Sequence, residues 1–105
     1  MNGSEVLKLN PLLSDRVRLA VMASLASSEG PVDFMTLLEN LDLTRGNLSS
    51  HVQKLEEAGL IEIKKEFIGK KPRTSFICTA LGKKEIRIYL LQIEKILGKE
   101  KNKRT

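Results

Sequence analysis

The hydrophobic period of this chain changes at Gly59, and no single regular element can hold both periods. Before it, Leu48, Val52 and Leu55 fall at i, i+4 and i+7, one stripe of a helix turning about 100° per residue. After it, Ile61 and Ile63 alternate with Glu62 and Lys64, the period of two that belongs to a strand. An amphipathic helix over 45–58 must therefore turn at once into a strand. Thr44 stands where a hydroxyl can accept from an unpaired N–H of the first turn. Gly59 is the residue type that enters the left-handed conformation after a helix without steric cost.

Away from the buried stripe this helix carries Gly46, Asn47, Ser50, Gln53, Lys54 and Glu57. Its second half shows long charged side chains, as a solvent-facing helix should. Its first two turns show Arg45, Asn47, Ser49 and Ser50 instead, short hydrogen-bonding groups with one guanidinium. Such a set can approach a surface closely and bond base edges or phosphates; a solvated first turn is the alternative.

The neighbouring segments give this helix its context. Val17, Ala20, Val21 and Leu25 give an apolar face to a first helix over 15–27, with Ser14 as its expected N-cap and Gly30-Pro31 as its stop. Val6, Leu7, Leu9, Leu12 and Leu13 crowd a segment too short to form a core alone. Pro31-Val32 fits a very short strand, and Asp33 can cap a second helix carrying Phe34, Leu37, Leu38 and Leu41. Asp42-Leu43-Thr44 then joins it tightly to the polar-faced helix, the helix-turn-helix pattern.

Beyond the first strand, Phe67 and Ile68 precede a Gly69-Lys70-Lys71-Pro72 tip. The return strand, 73–79, puts Phe76 and Cys78 on one face and Ser75 and Ile77 on the other. This is a hairpin with apolar roots and a basic tip. Thr79 can cap a last helix over 80–97, with Ile86, Tyr89, Leu90, Ile93 and Leu97 as its core stripe. Ile88, Leu91 and Leu81 lie nearly opposite. A second apolar side implies a second surface, for which another copy of the chain is the expected partner; an incidental exposed pair is the alternative.

At 105 residues, 41% hydrophobic and 30% charged, the chain fits one small globular domain, 1–98, followed by a tail. No apolar run approaches the roughly 20 residues that span a bilayer. The N-terminus lacks a basic segment followed by an apolar one, so a cytoplasmic protein is expected. Lone Cys78 and lone His51 cannot supply a structural zinc site, and neither a phosphate loop nor a carboxylate pair is evident, so no enzyme, metal or cofactor is expected. The net charge of +5 is concentrated in two places. Lys64, Lys65, Lys70, Lys71 and Arg73 stand against Glu66, and Lys99, Lys101, Lys103 and Arg104 against Glu100; the remainder is net acidic. Local basicity of this kind is the footprint of a polyanion partner. Residues 99–105 lack apolar anchors and are expected to be a disordered basic tail, either attracting DNA nonspecifically or solubilising the chain.

The segments "NLSSHVQKLEEAGLI" (47–61) and "KKPRTSFICTALGKK" (70–84) resemble the recognition helix and the wing of the ArsR and MarR repressor families. There, a hydroxyl-rich turn leads through His-Leu to Glu-Ala-Gly-Leu, and a basic turn leads into a strand, a Thr and, three residues on, a Gly. Val52 replaces the first leucine of that pattern. The resemblance spans about 14–97 and implies an α+β, mainly α fold, a winged helix-turn-helix with a hairpin wing and a long C-terminal dimerisation helix. It also implies a homodimeric, sequence-specific regulator of transcription bound to double-stranded DNA.

On that resemblance Asn47, Ser49 and Ser50 would reach base edges and Arg45 a phosphate or a guanine edge. Lys54 would reach phosphate, and Lys70, Lys71 and Arg73 the backbone or the adjacent minor groove. Leu7, Leu9, Ile88 and Leu91 would serve dimerisation. His51 reads first as a half-buried, hydrogen-bonded side chain, then as a phosphate contact, last as a metal ligand. Clustered-cysteine metal sensing, found in some relatives, is not available to Cys78 alone. Related regulators take small-molecule effectors between the long helix and the helix-turn-helix, but no residue here identifies one. The rival from another class is a winged helix used for protein–protein interaction, for which an apolar patch on the third helix or the wing would be the sign. A nonspecific chromatin or RNA binder is disfavoured by the expected near absence of exposed aromatics for stacking and by a charge that is only moderately positive.

Overall fold

The computed structural model describes residues 3–98 in full and residues 99–104 by backbone alone. Expectations for the basic tail therefore lie outside the fully described residues. Elements follow in the order α1 (Gly3–Val6), α2 (Arg16–Ala26), β1 (Val32–Asp33), α3 (Phe34–Leu41), α4 (Arg45–Glu57), β2 (Ile61–Ile68), β3 (Lys71–Cys78) and α5 (Ala80–Arg104). This is the expected winged helix, with a short α1 added in front and α4 as the expected polar-faced helix.

The helix starts are set by side-chain caps. Asp15, rather than the neighbouring Ser14, caps α2: its Oδ1 accepts from the backbone N–H of Val17 at 2.9 Å and of Arg18 at 3.0 Å. Ser14 turns its hydroxyl back to donate to the Asn10 carbonyl at 2.9 Å. Asp33 caps α3 and Thr44 caps α4. Between these helices Asp42 takes a left-handed conformation, φ 51°, which closes α3 within one residue and leaves Leu43 and Thr44 to start α4.

The strands form one antiparallel sheet in the order β1-β3-β2. β1 pairs with β3 at Val32↔Phe76 and Asp33↔Ser75, whereas β2 and β3 pair along their whole length, from Ile61↔Cys78 to Ile68↔Lys71. The hairpin's inner half thus belongs to the core and its outer half projects. The turn is tighter than the sequence suggested. Gly69, φ 66°, and Lys70 alone connect the strands, and Gly at the first central position is what a two-residue type II′ turn requires. Lys71 and Pro72 already belong to β3.

Leu13, Val21, Met22, Leu25, Leu37, Leu48, Leu55, Ile61 and Phe76 are fully buried and fill the space between helices and sheet. Leu9 joins this core, so the apolar N-terminal segment finds its partner within the chain. The core stripe of α5 is also corrected. Ile86, Tyr89 and Ile96 are buried, while Leu90 and Leu97 are half exposed. Leu9, Gln92 and Ile96 line one shallow pocket between the N-terminal segment and α5, and the buried face of α5 takes in Ile96 rather than Leu97. The Tyr89 hydroxyl reaches Ser14 Oγ at 3.5 Å, a second tie between α5 and the segment before α2.

At one joint α4, the wing and α5 meet. The Thr79 N–H donates to the Leu60 carbonyl at 3.1 Å and its hydroxyl to the Gly59 carbonyl at 2.7 Å. The same hydroxyl accepts the Gly82 N–H at 2.9 Å. Gly59, φ 76°, makes the sharp exit from α4. A Cβ on Gly82 would stand 2.1 Å from the Leu60 carbonyl oxygen, so the start of α5 seats on the backbone of Leu60, just before β2, at a distance open to glycine alone.

Candidate nucleic-acid interface

The buried stripe of α4, Leu48, Val52 and Leu55, is at most 4% exposed, which fixes the rotation of the helix about its axis. Arg45, Gly46, Asn47, Ser49, Ser50, Gln53 and Lys54 are all exposed. The Asn47 backbone N–H donates to Thr44 Oγ1 at 3.1 Å, and Asn47 itself is exposed. Gly46 has no heavy atom within 4 Å of where a Cβ would sit. Nothing within the chain demands a glycine there, although glycine weakens a helix.

Arg45 is held over α3. Its guanidinium lies 6.0 Å from the centre of the Phe34 ring, and Nη2 approaches Met35 Sδ at 3.4 Å. Phe34 in turn packs on the core ring of Phe76, centroids 5.9 Å apart. From the wing, Arg73 Nε donates to Asp33 Oδ1 at 3.1 Å, while Asp33 Oδ2 accepts the Met35 N–H at 3.1 Å. Both arginines, one from α4 and one from β3, therefore converge on Asp33, Phe34 and Met35 at the start of α3. Arg73 keeps its two Nη groups for other acceptors. Periodicity revealed neither contact, because partners 40 and 11 residues apart in sequence share no repeat.

His51 is tied to α2. Arg18 Nη1 lies 3.1 Å from His51 Nδ1, and Arg18 Nε donates to the Leu12 carbonyl at 2.6 Å. A guanidinium can only donate, so Nδ1 accepts and the ring proton sits on Nε2. This is the half-buried, hydrogen-bonded histidine of the first reading. Asp15 Oδ1 stands 3.9 Å from the same nitrogen. The backbone N–H of Arg18 holds the Asp15 carboxyl below its ordinary value, opposed by burial and assisted by the Arg18 guanidinium and by the Val17 N–H.

In the wing Lys70 and Lys71 are exposed, as are Lys64 and Lys65. Phe67 and Ile68 are exposed too, at 75% and 54%. The tip is thus basic and apolar together, where the sequence suggested a purely polar and basic surface. Alternation puts Phe67 on the face of Ile61 and Ile63 and Ile68 on the other, and both are uncovered on the projecting half of the hairpin. Of the four residues expected in a dimer contact, Leu7, Ile88 and Leu91 are exposed, at 86%, 38% and 56%, and Leu9 is buried within its own chain at 7%. Cys78 is buried, which pushes its thiol up from its ordinary value against the pull of nearby Lys83. Among the described residues no three acidic, His or Cys side chains gather into a metal site, and no helix is long and apolar enough to cross a membrane.

Known proteins share this architecture. An uncharacterized protein of Methanocaldococcus jannaschii is 38% identical over 77 residues, 73% of this chain and 83% of its own length. The structure of a transcriptional regulator homologue from Pyrococcus horikoshii superposes with a TM-score of 0.81 at 33% identity, over 90% of this chain and 92% of that one. Staphylococcus aureus MepR, in its DNA complex, shares the fold with a TM-score of 0.71 at 15% identity, over 89% of this chain and 78% of its own. Residues 17–97 match the family model described as a winged helix DNA-binding domain. That match takes in α4, the wing and most of α5, and the chain belongs to this winged helix DNA-binding family.

Proposed function

We propose that this chain is a sequence-specific regulator of transcription that binds double-stranded DNA as a homodimer. The convergence of Arg45 and Arg73 on the first residues of α3 carries the reading. It brings the start of α4 and the root of the basic wing to one end of the molecule, where a single duplex could meet both. In this reading α4 enters the major groove. Asn47, Ser49 and Ser50 read base edges, Arg45 takes a phosphate or a guanine edge, and Lys54 takes phosphate. Lys70, Lys71 and the free Nη groups of Arg73 lie along the backbone or in the adjacent minor groove. Leu91 and Ile88 of α5, with Leu7 near the N-terminus, form the contact between copies. The relatives support regulation of transcription, since the Pyrococcus horikoshii protein is described as a transcriptional regulator homologue and MepR is bound to DNA.

The test is selection of the purified protein against a pool of random duplexes at two salt concentrations, with the retained fraction sequenced. Enrichment of a pseudo-palindrome, its half-sites about 10 base pairs apart or a multiple of that, is expected. Salt-sensitive retention without enrichment would refute sequence specificity and leave a nonspecific DNA protein. No retention at either salt would favour the second reading, a protein-interaction module. The exposed Phe67 and Ile68 are the observation on that side.

A further inference from the structure

We propose that Phe67, backed by Pro72 and flanked by Ile68, is an apolar wedge that enters the minor groove beside the α4 site and unstacks one base step. This rests on the DNA-binding reading above. Phe67 is 75% exposed and Ile68 54%, on a hairpin whose outer half has no third strand, because β1 pairs with β3 only at Val32 and Asp33. The fold therefore makes no use of either side chain. Their placement is ordered all the same. Phe67 stands directly opposite Pro72, and Ile68 opposite Lys71. Opposed residues share a face, so the Phe67 ring and the stiff Pro72 ring lie together on one side, and Ile68 lies on the other.

The two-residue turn at Gly69 and Lys70 makes the end of the ribbon narrow, and Gly69 adds no side chain to it. Phe67 and Ile68 are the first apolar groups behind that tip. Around them Lys64, Lys65, Lys70 and Lys71 are all exposed, with Glu66 paired across the ladder to Arg73. A surface with apolar groups at the centre and ammonium groups at the rim fits a partner of the inverse design. The minor groove offers one, with sugar walls and base edges inside and two rows of phosphate outside. Proteins that place Phe, Ile or Pro there part a base step and bend the duplex. Pyrimidine–purine steps yield most easily. Such a wedge would select for a flexible step at a position where no hydrogen bond reads the base.

The experiment uses the whole chain and duplexes from the selected pool in which 2-aminopurine replaces adenine at successive TA steps. The wild type is expected to raise 2-aminopurine fluorescence at one step in each half-site. Phe67→Ala should remove that rise and weaken binding about tenfold, within the range for loss of one base–aromatic contact, with the salt dependence unchanged. Lys70→Ala should keep the rise and lower the salt slope by about one. Because Phe67 is exposed, its variant should melt as the wild type does, and Phe67→Leu should retain most of the signal. Wild-type binding with no fluorescence rise at any step, or Phe67→Ala binding as tightly as wild type, would overturn the wedge while leaving DNA binding intact. Failure to bind any duplex would overturn the DNA reading and the wedge with it.

Discussion

Gly82→Ala puts the joint between α4, the wing and α5 to the test. In an ordinary helix this change stabilises by about 1 kcal/mol, because alanine gives up less backbone freedom than glycine. Here the new Cβ would fall 2.1 Å from the Leu60 carbonyl oxygen, 3.0 Å from its carbon and 2.9 Å from Cys78 Sγ. Carbon–oxygen contacts settle at about 3.3 Å or more, so α5 and the Leu60 backbone must part by roughly 1 Å. That carbonyl is also the acceptor of the Thr79 N–H, so parting them puts at risk a hydrogen bond of about 1 kcal/mol. Overpacking costs about 1–3 kcal/mol and sometimes more. With the propensity gain subtracted, a loss of about 1–3 kcal/mol is expected, and at about 4–8 °C per kcal/mol for a domain of this size the melting temperature should drop by about 5–25 °C. Thermal and urea unfolding followed by far-ultraviolet circular dichroism measure it. Gly98, in the same helix with nothing within 4 Å of its Cβ position, is the internal control; Gly98→Ala should be neutral or raise the melting temperature. A Gly82→Ala protein as stable as wild type would refute the close approach at this joint.

Gly46→Ala should raise the melting temperature slightly, by up to about 1 kcal/mol of helix propensity, and weaken binding to the selected duplex. Equal affinity for the variant would remove the close approach of α4 to DNA. Asp15→Ala should cost about 1 kcal/mol through the lost cap of α2. The folded-state pKa of Asp15 is depressed, so its contribution is present above the unfolded value near 4 and is lost as the pH falls through the folded one. Wild type and variant should therefore converge in stability at the acid end, and a gap that persists to pH 2 would argue against the carboxylate as its source. Leu91→Glu should give monomers in sedimentation velocity without a change in melting at low concentration. An unchanged dimer would place the contact between copies elsewhere.

What the sequence disclosed was local. The change of period at Gly59, the caps at Asp33 and Thr44 and the tight turn after α3 each depend on residues within one or two turns of each other. What it withheld depended on which surface another element happens to cover. Ile96 and Leu97 fit a helical stripe equally well, and only the fold shows that Ile96 is buried and Leu97 half exposed. Ser14 and Asp15 are both good caps one residue apart, and the choice falls to Asp15, whose carboxylate takes two N–H groups while the Ser14 hydroxyl is occupied by Asn10. Phe67 continues the inward face of Ile61 and Ile63 by alternation, yet it stands on the projecting end of the hairpin and is 75% exposed.

The same distinction bears on how the expected DNA contacts are held. Arg45 and Arg73 were singled out for charge and position, each on its own element. In the fold they rest on Met35 of α3 and on Asp33, its cap, and Phe34 between them packs into the core against Phe76. The wing root is thereby tied through Asp33 to the cap of α3, and the start of α4 through Arg45 to Phe34 and Met35. His51 and Arg18 tie the other flank of α4 to α2. A helix clamped on both flanks and joined to its wing at Thr79 presents its short polar side chains on a rigid frame. That is the physical condition for reading base edges, because a hydrogen-bond pattern can discriminate between bases only if the donors arrive already in register.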